Sequence, residues 1–415
     1  MHMQRTPNLR SERGIALVVS VFALVVIGAL VAGTFFVGRI EQITGYNSVW
    51  AGQAAEGAEA GLAHAQANVD ASTYLSLPVW TPAAPTEMAI PARRLTSSGF
   101  GISSGGGVAF TDTIRRLNNT LFMVRSAGQL RTPSGQVMAE QSLGALMRIA
   151  KPTIGVNAAV TVQDPIKFNG NSFEVDGFNS IPPQWGAGEC AAVDAGNSDD
   201  VVGIRSSTST GAGAQDMNNI FGFPAKTVDN DPTITSATFQ DFLDYTYTTL
   251  ASQPGVKTLP LTTPYNGVGP ILDGTQSPAV CDKSVLLNFG EPFRNPPTAG
   301  AIAECEGYFP IVHGTGSQTK FASGSRGQGI LLIDGDMEIV GGFEWVGLII
   351  VRNEMKVTGT GNKIYGAVLT EGASVNTAGS IGGNVEVHYS ACGIENAVNG
   401  VAVAVPLSRG WTQLF

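Results

Sequence analysis

The chain has 415 residues, more than one domain usually holds, so two or more are expected. Hydrophobic residues make up 43% and charged residues only 14%, which excludes a disordered chain, since disorder needs high charge and few apolar residues. The formal charge of −9 lacks the basic surplus of a nucleic-acid binder, so no nucleic-acid partner is expected. Fifty-two glycines and 22 prolines indicate many turns and a mainly β chain.

The first element is the most apolar. Ile15 to Val37 contains no charged side chain. At about 1.5 Å per residue this run makes a helix of roughly 34 Å, enough to cross a hydrocarbon core of about 30 Å. Arg5, Arg10 and Arg13 precede it, and a basic flank predicts a cytoplasmic N-terminus with the remainder across the membrane. A cleaved secretory signal is the competing reading; the length of the run and the lack of a small-x-small cleavage pattern weigh against it. No proline occurs from Gln42 to Val69, and Ala51, Ala54, Ala55, Ala58, Leu62, Ala65 and Val69 recur at spacings of three and four. One helix over 15–70 is therefore expected, its small residues permitting close approach of a sheet or another helix. A membrane anchor joined to an ordinary amphipathic helix has the same pattern.

The string Glu12-Arg13-Gly14-Ile15-Ala16-Leu17-Val18-Val19, with Gln53-Ala54-Ala55-Glu56-Gly57-Ala58-Glu59-Ala60-Gly61-Leu62, resembles the start of PilX-type type IV pilus assembly proteins. The resemblance is confined to residues 1–70. It implies a basic leader over 1–14, prepilin peptidase cleavage between Gly14 and Ile15, and methylation of the new amine on Ile15. It also implies an inner-membrane helix that packs against other pilin subunits. Major pilins usually carry Glu at the fifth mature position, where this chain has Val19; PilX-type proteins and K-type minor pseudopilins of type II secretion often lack it too. A carboxylate in lipid is costly unless paired, and in pilins its partner is thought to be the amine of the subunit ahead. A subunit without it suits a tip position.

Residues 71–150 read as a small pilin-like α+β region, although any small α+β module fits. Ser72–Gly107 reads as loop, and Asn119–Arg125 with Gln136–Ile149 flank the turn Thr132-Pro133-Ser134-Gly135 as a hairpin. Residues 151–405 read as a separate ectodomain with short alternating strands, a glycine-rich loop over Asp194–Gly213 and one helix near 236–250. Phe239, Phe242, Leu243, Tyr247 and Leu250 would share a face of that helix.

The stretch Gly329–Gly341 is echoed by Gly347–Gly359 and again from Gly366, and a fourth, weaker copy runs through Gly383-Asn384-Val385-Glu386-Val387-His388-Tyr389. No copy buries its apolar face alone, so the copies must stack. The expected fold is a long N-terminal α-helix with a small sheet, followed by a right-handed parallel β-helix-like domain. Ile330, Leu332, Leu348, Ile350 and Val368 would form its inward rungs; a β-sandwich with coincidental spacing is the alternative. The region also resembles the glycine-rich β-helical ectodomains that follow PilX-type N-termini.

Asp334, Arg352 and Glu371 hold equivalent repeat positions, followed by Asp336 and Glu354. Acids on neighbouring rungs are what a β-helical lyase or esterase would use, but alternating signs on an outer face read first as a ladder of weak ion pairs. His2, His64, His313 and His388 show no ligand spacing, and neither a nucleophile elbow nor a P-loop occurs. Neither catalysis nor a cofactor is expected. No metal site is assigned, although Asp194, Asn197, Asp199 and Asp200 offer oxygens that suit calcium, an ion that K-type pseudopilins use. Cys190, Cys281, Cys305 and Cys392 predict one or two disulfides in an oxidising compartment. Three pairings are open, of which Cys281 with Cys305 closes the shortest loop. The expected function is that of a structural minor pilin-like subunit in type IV pilus assembly, at initiation or the tip, with an unspecified surface ligand. The alternatives are a K-type minor pseudopilin and a membrane-anchored β-helical carbohydrate-binding or carbohydrate-active protein.

Overall fold

The structure, a computed structural model, describes residues 13–68, 79, 81, 88–90, 107–118, 120–164, 167–169, 173–183, 185–186, 190, 199–213, 216–242, 245–260, 264–294, 300–371, 380–382 and 385–414. A long N-terminal helix precedes mostly β structure, and the chain divides into two compact units. The first holds the helix, residues 78–148 and residues 406–415; the second is built chiefly from residues 149–405.

In the first unit one unbroken helix, Arg13–Asn68, continues out of the apolar run, as the lack of proline allows. Its C-terminal part packs on a sheet with strand order Met88–Ile90, Gly107–Arg116, Leu121–Arg131, Val137–Ala150 and Val403–Leu414. The first four strands pair antiparallel. Strand Gly107–Arg116 was not part of the expected hairpin. Its buried positions are Val108, Phe110, Asp112 and Ile114, and an inward Asp masks the apolar alternation by which strands are read. The last strand lies beside Val137–Ala150, so the second unit is inserted between two neighbouring strands of one sheet.

The second unit is a solenoid of parallel strands in two stacks. One runs, in spatial order, Thr227–Val228, Val202–Ser206, Ala158–Val162, Asn362–Thr370, Glu344–Val351, Arg326–Ile333, Ile311–Gly314 and Lys257–Leu259. The other runs Tyr265–Asn266, Gln318–Ala322, Asp336–Val340, Met355–Thr358, Ser380–Gly382 and Lys167–Asn169. Spatial order departs from chain order, because the coil begun at Ala158 stacks on the last repeat. Strand Asn362–Thr370 is the fork: Val368–Thr370 pairs with Val160–Val162, while Asn362–Gly366 pairs with Val385–Tyr389. Beyond that branch lie Glu174–Asp176 and then Ile220–Phe221.

Gly329, Gly347 and Gly366 align across the repeats, as do Ile330 with Leu348 and Leu332 with Ile350. Val368 does not join their rungs; it pairs with Ile349, on the opposite-facing row. Val340 pairs with Thr358, but Glu344 pairs with Lys363, so the turn before Lys363 holds one extra residue. A one-residue slip turns a side chain to the other face. Val368 is buried all the same, because these strands are covered on both faces, in part by the helix Ala391–Gly400.

The single helix expected near 236–250 is two short ones, Ser236–Gln240 and Tyr247–Ala251, separated by the paired strands Asp241–Phe242 and Tyr245–Thr246. Thr246 caps the second: its hydroxyl accepts from the Thr249 amide, and the Thr249 hydroxyl accepts from the Thr246 amide. Hydroxyl side chains that bond the backbone this way favour caps over helix interiors. Phe239, Phe242, Tyr247 and Leu250 are buried nonetheless; Leu243 lies outside the described residues.

Candidate functional site

Gly14 and Ile15 lie within the first turn of the described helix. From Ile15 to Val37 its apolar side chains stand exposed, Ile15 at 67% and Phe35 at 76%. The polar groups of this stretch are satisfied locally: the Ser20 hydroxyl donates to the Ala16 carbonyl at 2.5 Å and that of Thr34 to Val31 at 2.8 Å. Such back-bonding suits a segment surrounded by lipid or by other apolar helices. By length and composition this helix is able to cross a membrane once.

The lower half of the helix is built for close packing. Ala54, Ala58 and Ala65 are fully buried, and a Cβ placed on Gly57 or Gly128 would collide with Val108 or with the Ala54 carbonyl, respectively. Gly61 leaves room for a polar lock. A Cβ there would strike Ser126 Oγ and Asp112 Oδ1, and His64 Nδ1 lies 3.3 Å from Asp112 Oδ2. Asp112 is almost completely buried. Burial raises its pKa, against the opposing pull of the Ser126 hydroxyl and of His64.

A raised carboxyl pKa means that the folded state keeps a proton the unfolded chain has released. Stability therefore falls as pH rises from the ordinary Asp value, about 3.9, through the raised one. Asp112→Asn removes this loss, so the variant should gain stability relative to wild type between pH 4 and pH 7. Thermal unfolding at both values measures the difference, and an equal offset at the two would refute the assignment.

In the solenoid, the expected ladder is occupied by ion pairs and amides. Arg352 Nε lies 3.6 Å from Glu371 Oε2, and Gln240 donates to Glu371 at 2.9 Å. His313 Nε2 lies 3.1 Å from Asp334 Oδ2. Arg352 also sits 5.2 Å from the centre of the Tyr247 ring. Asp336 accepts from the Asn353 side chain at 2.5 Å and from the Glu354 amide at 3.2 Å.

Cys190 bonds Cys392, and Cys281 bonds Cys305. The first bridge lies in a small apolar cluster with Trp185 and Val346. Of the calcium candidates, Asp194 and Asn197 lie outside the described residues. Asp200 accepts from the Asn179 amide at 2.8 Å, and Asp199 raises the pKa of Tyr389, adding to the larger effect of burial.

One cluster has no counterpart in the sequence reading. Glu174, Asp176 and His388 each place a ligand atom within 4.8 Å of the others. They meet because Val385–Tyr389 pairs with Glu174–Asp176, bringing Glu386 opposite Glu174 and His388 opposite Asp176. His388 Nδ1 lies 3.8 Å from Asp176 Oδ2, and Nε2 lies 3.6 Å from Glu386 Oε2. Asp176 is the main cause of a raised His388 pKa, which burial opposes. The ring stacks on Tyr365 with centroids 5.2 Å apart, and the Phe178 amide donates to Asp176 Oδ1 at 2.9 Å. The visible signal was the likeness of Glu174-Val175-Asp176 to Glu386-Val387-His388; pairing segments so far apart in the chain required the fork.

No protein-family model matches the chain, and no curated protein matches it. Among solved structures it is similar to the competence-associated pilin ComZ from Thermus thermophilus, with 14% identity and a TM-score of 0.24, over 88% of this chain and 97% of that one.

Proposed function

We propose that this chain is a structural, non-catalytic minor pilin-like subunit of a type IV pilus. In this reading the N-terminal helix waits in the inner membrane, with the solenoid on the far side. After cleavage by prepilin peptidase between Gly14 and Ile15, the helix packs among other pilin helices as a fibre is extruded. The observation that carries this reading is the two-part helix. Its first half offers an unbroken exposed apolar surface, and its second half packs against an antiparallel sheet through Ala54, Ala58 and Ala65. Val19 supports a position at the initiating or tip end, because no carboxylate seeks the amine of a subunit ahead. The solenoid, as large as it is, would crowd a shaft if repeated in every subunit, and at a tip it is free to contact a surface ligand. A K-type minor pseudopilin would share the missing Glu and the same processing.

Mass spectrometry of the N-terminus, on protein from membranes with and without prepilin peptidase, tests the proposal. The expected mature chain begins at methylated Ile15 only when the peptidase is present. An intact leader in both samples would overturn it and leave a membrane-anchored β-helical ectodomain, the carbohydrate-binding or carbohydrate-active alternative.

A further inference from the structure

Across the strands of the solenoid, one row of residues reads Arg326, Glu344, Lys363, Glu386 and Glu174 in spatial order. Charges alternate along it until the last step, where two carboxylates stand directly opposite each other. Like charges in facing positions are destabilising. Lys363 Nζ, 3.2 Å from Glu386 Oε2, neutralises one of them; among the described residues Glu174 has no register partner of opposite sign. The next row reads Val346, Tyr365, His388, Asp176 and Phe221. It sets a third carboxylate and an imidazole beside the break in alternation.

We propose that Glu174, Asp176 and His388 bind a divalent transition-metal ion, best matched by Zn²⁺. The 3.8 Å between His388 Nδ1 and Asp176 Oδ2 is a little wider than the roughly 3.3 Å that separates two ligands about 2.0–2.1 Å from a tetrahedral zinc. A small inward movement closes the difference. One imidazole with two carboxylates suits a borderline ion such as Zn²⁺; Ca²⁺ and Mg²⁺ prefer all-oxygen shells. If Nδ1 takes the metal, Nε2 faces Glu386, and a carboxylate behind a ligating histidine is the usual orienting partner. The Tyr365 ring and the Phe178 amide hold the imidazole and the Asp176 carboxylate in place. Three protein ligands on a partly exposed surface leave a fourth position for water or for a group on another molecule. The site does not depend on the pilin reading.

The test uses the full chain without a histidine tag, purified in detergent and stripped with a chelator, then titrated with ZnCl₂ by calorimetry. One equivalent should bind, and Co²⁺ in its place should give the visible absorption of a nitrogen- and oxygen-ligated centre. His388→Gln and Asp176→Asn should each weaken Zn²⁺ binding about 100-fold or more, and Glu386→Gln about 10-fold. Glu174→Gln, which removes one ligand carboxylate and leaves the histidine stack intact, serves if circular dichroism shows another variant misfolded. The proposal is overturned if wild type binds no Zn²⁺ stoichiometrically. It is equally overturned if the well-folded variants bind as wild type does, or if Ca²⁺ binds and Zn²⁺ does not.

Discussion

Gly347→Ala is expected to lower the unfolding temperature of the solenoid by about 6–12 °C, corresponding to a loss of about 3 kcal/mol. Gly347 has φ of +123°, and a Cβ there would run into the Gly329 carbonyl and lie 2.9 Å from Ala397 Cβ. Neither neighbour yields easily: one is backbone of the adjacent strand, the other belongs to the helix packed against it. Gly329 and Gly366, its register partners, are just as confined, each against the backbone of the preceding coil. Gly324 provides the control. Its φ is +74°, yet nothing lies within 4 Å of the Cβ position, so Gly324→Ala should cost only the left-handed backbone strain of about 1–2 kcal/mol. Thermal unfolding of the two variants side by side separates strain from collision. Equal losses would show that the glycine ladder is not a close-contact feature.

The second large effect concerns the bridge between Cys190 and Cys392, residues separated by 202 positions. In the chain-entropy account, a link closing so long a loop restricts the unfolded chain by about 5 kcal/mol. The same account gives about 3.5 kcal/mol for Cys281–Cys305, with its separation of 24. Replacing both Cys190 and Cys392 by Ser should therefore destabilise the solenoid more than the same change at Cys281 and Cys305. Denaturant unfolding under non-reducing conditions measures both losses. The opposite ranking would mean that local packing around Cys281–Cys305 outweighs loop length.

What could be read from the sequence followed from local chemistry. The uncharged run from Ile15, the absence of proline up to Val69 and the Ala spacing specify a helix and its packing face without reference to the rest of the chain. The glycines at 329, 347 and 366 set the strand register, because each must tolerate a close backbone approach. Long-range placement was less legible. Val368 falls out of the expected row because Gly366 follows Gly347 by 19 positions, whereas Gly347 follows Gly329 by 18, so a uniform 18-residue step from Ile350 lands one place off register. Over 236–250 the aromatic spacing suits one helix face, while Thr246 and Thr249 instead cap a fresh start. Glu174, Asp176 and His388 could not be grouped from spacing, since the fork at Asn362–Thr370 brings together strands more than two hundred positions apart.

Insertion of the solenoid between two neighbouring strands has a consequence for biogenesis. Val403–Leu414 reaches its place beside Val137–Ala150 only after everything between them has brought its ends together. A solenoid that fails to fold leaves Val137–Ala150 with an unpaired edge, and such edges invite proteolysis and aggregation. Completion of the small sheet thus reports on the soundness of the larger unit.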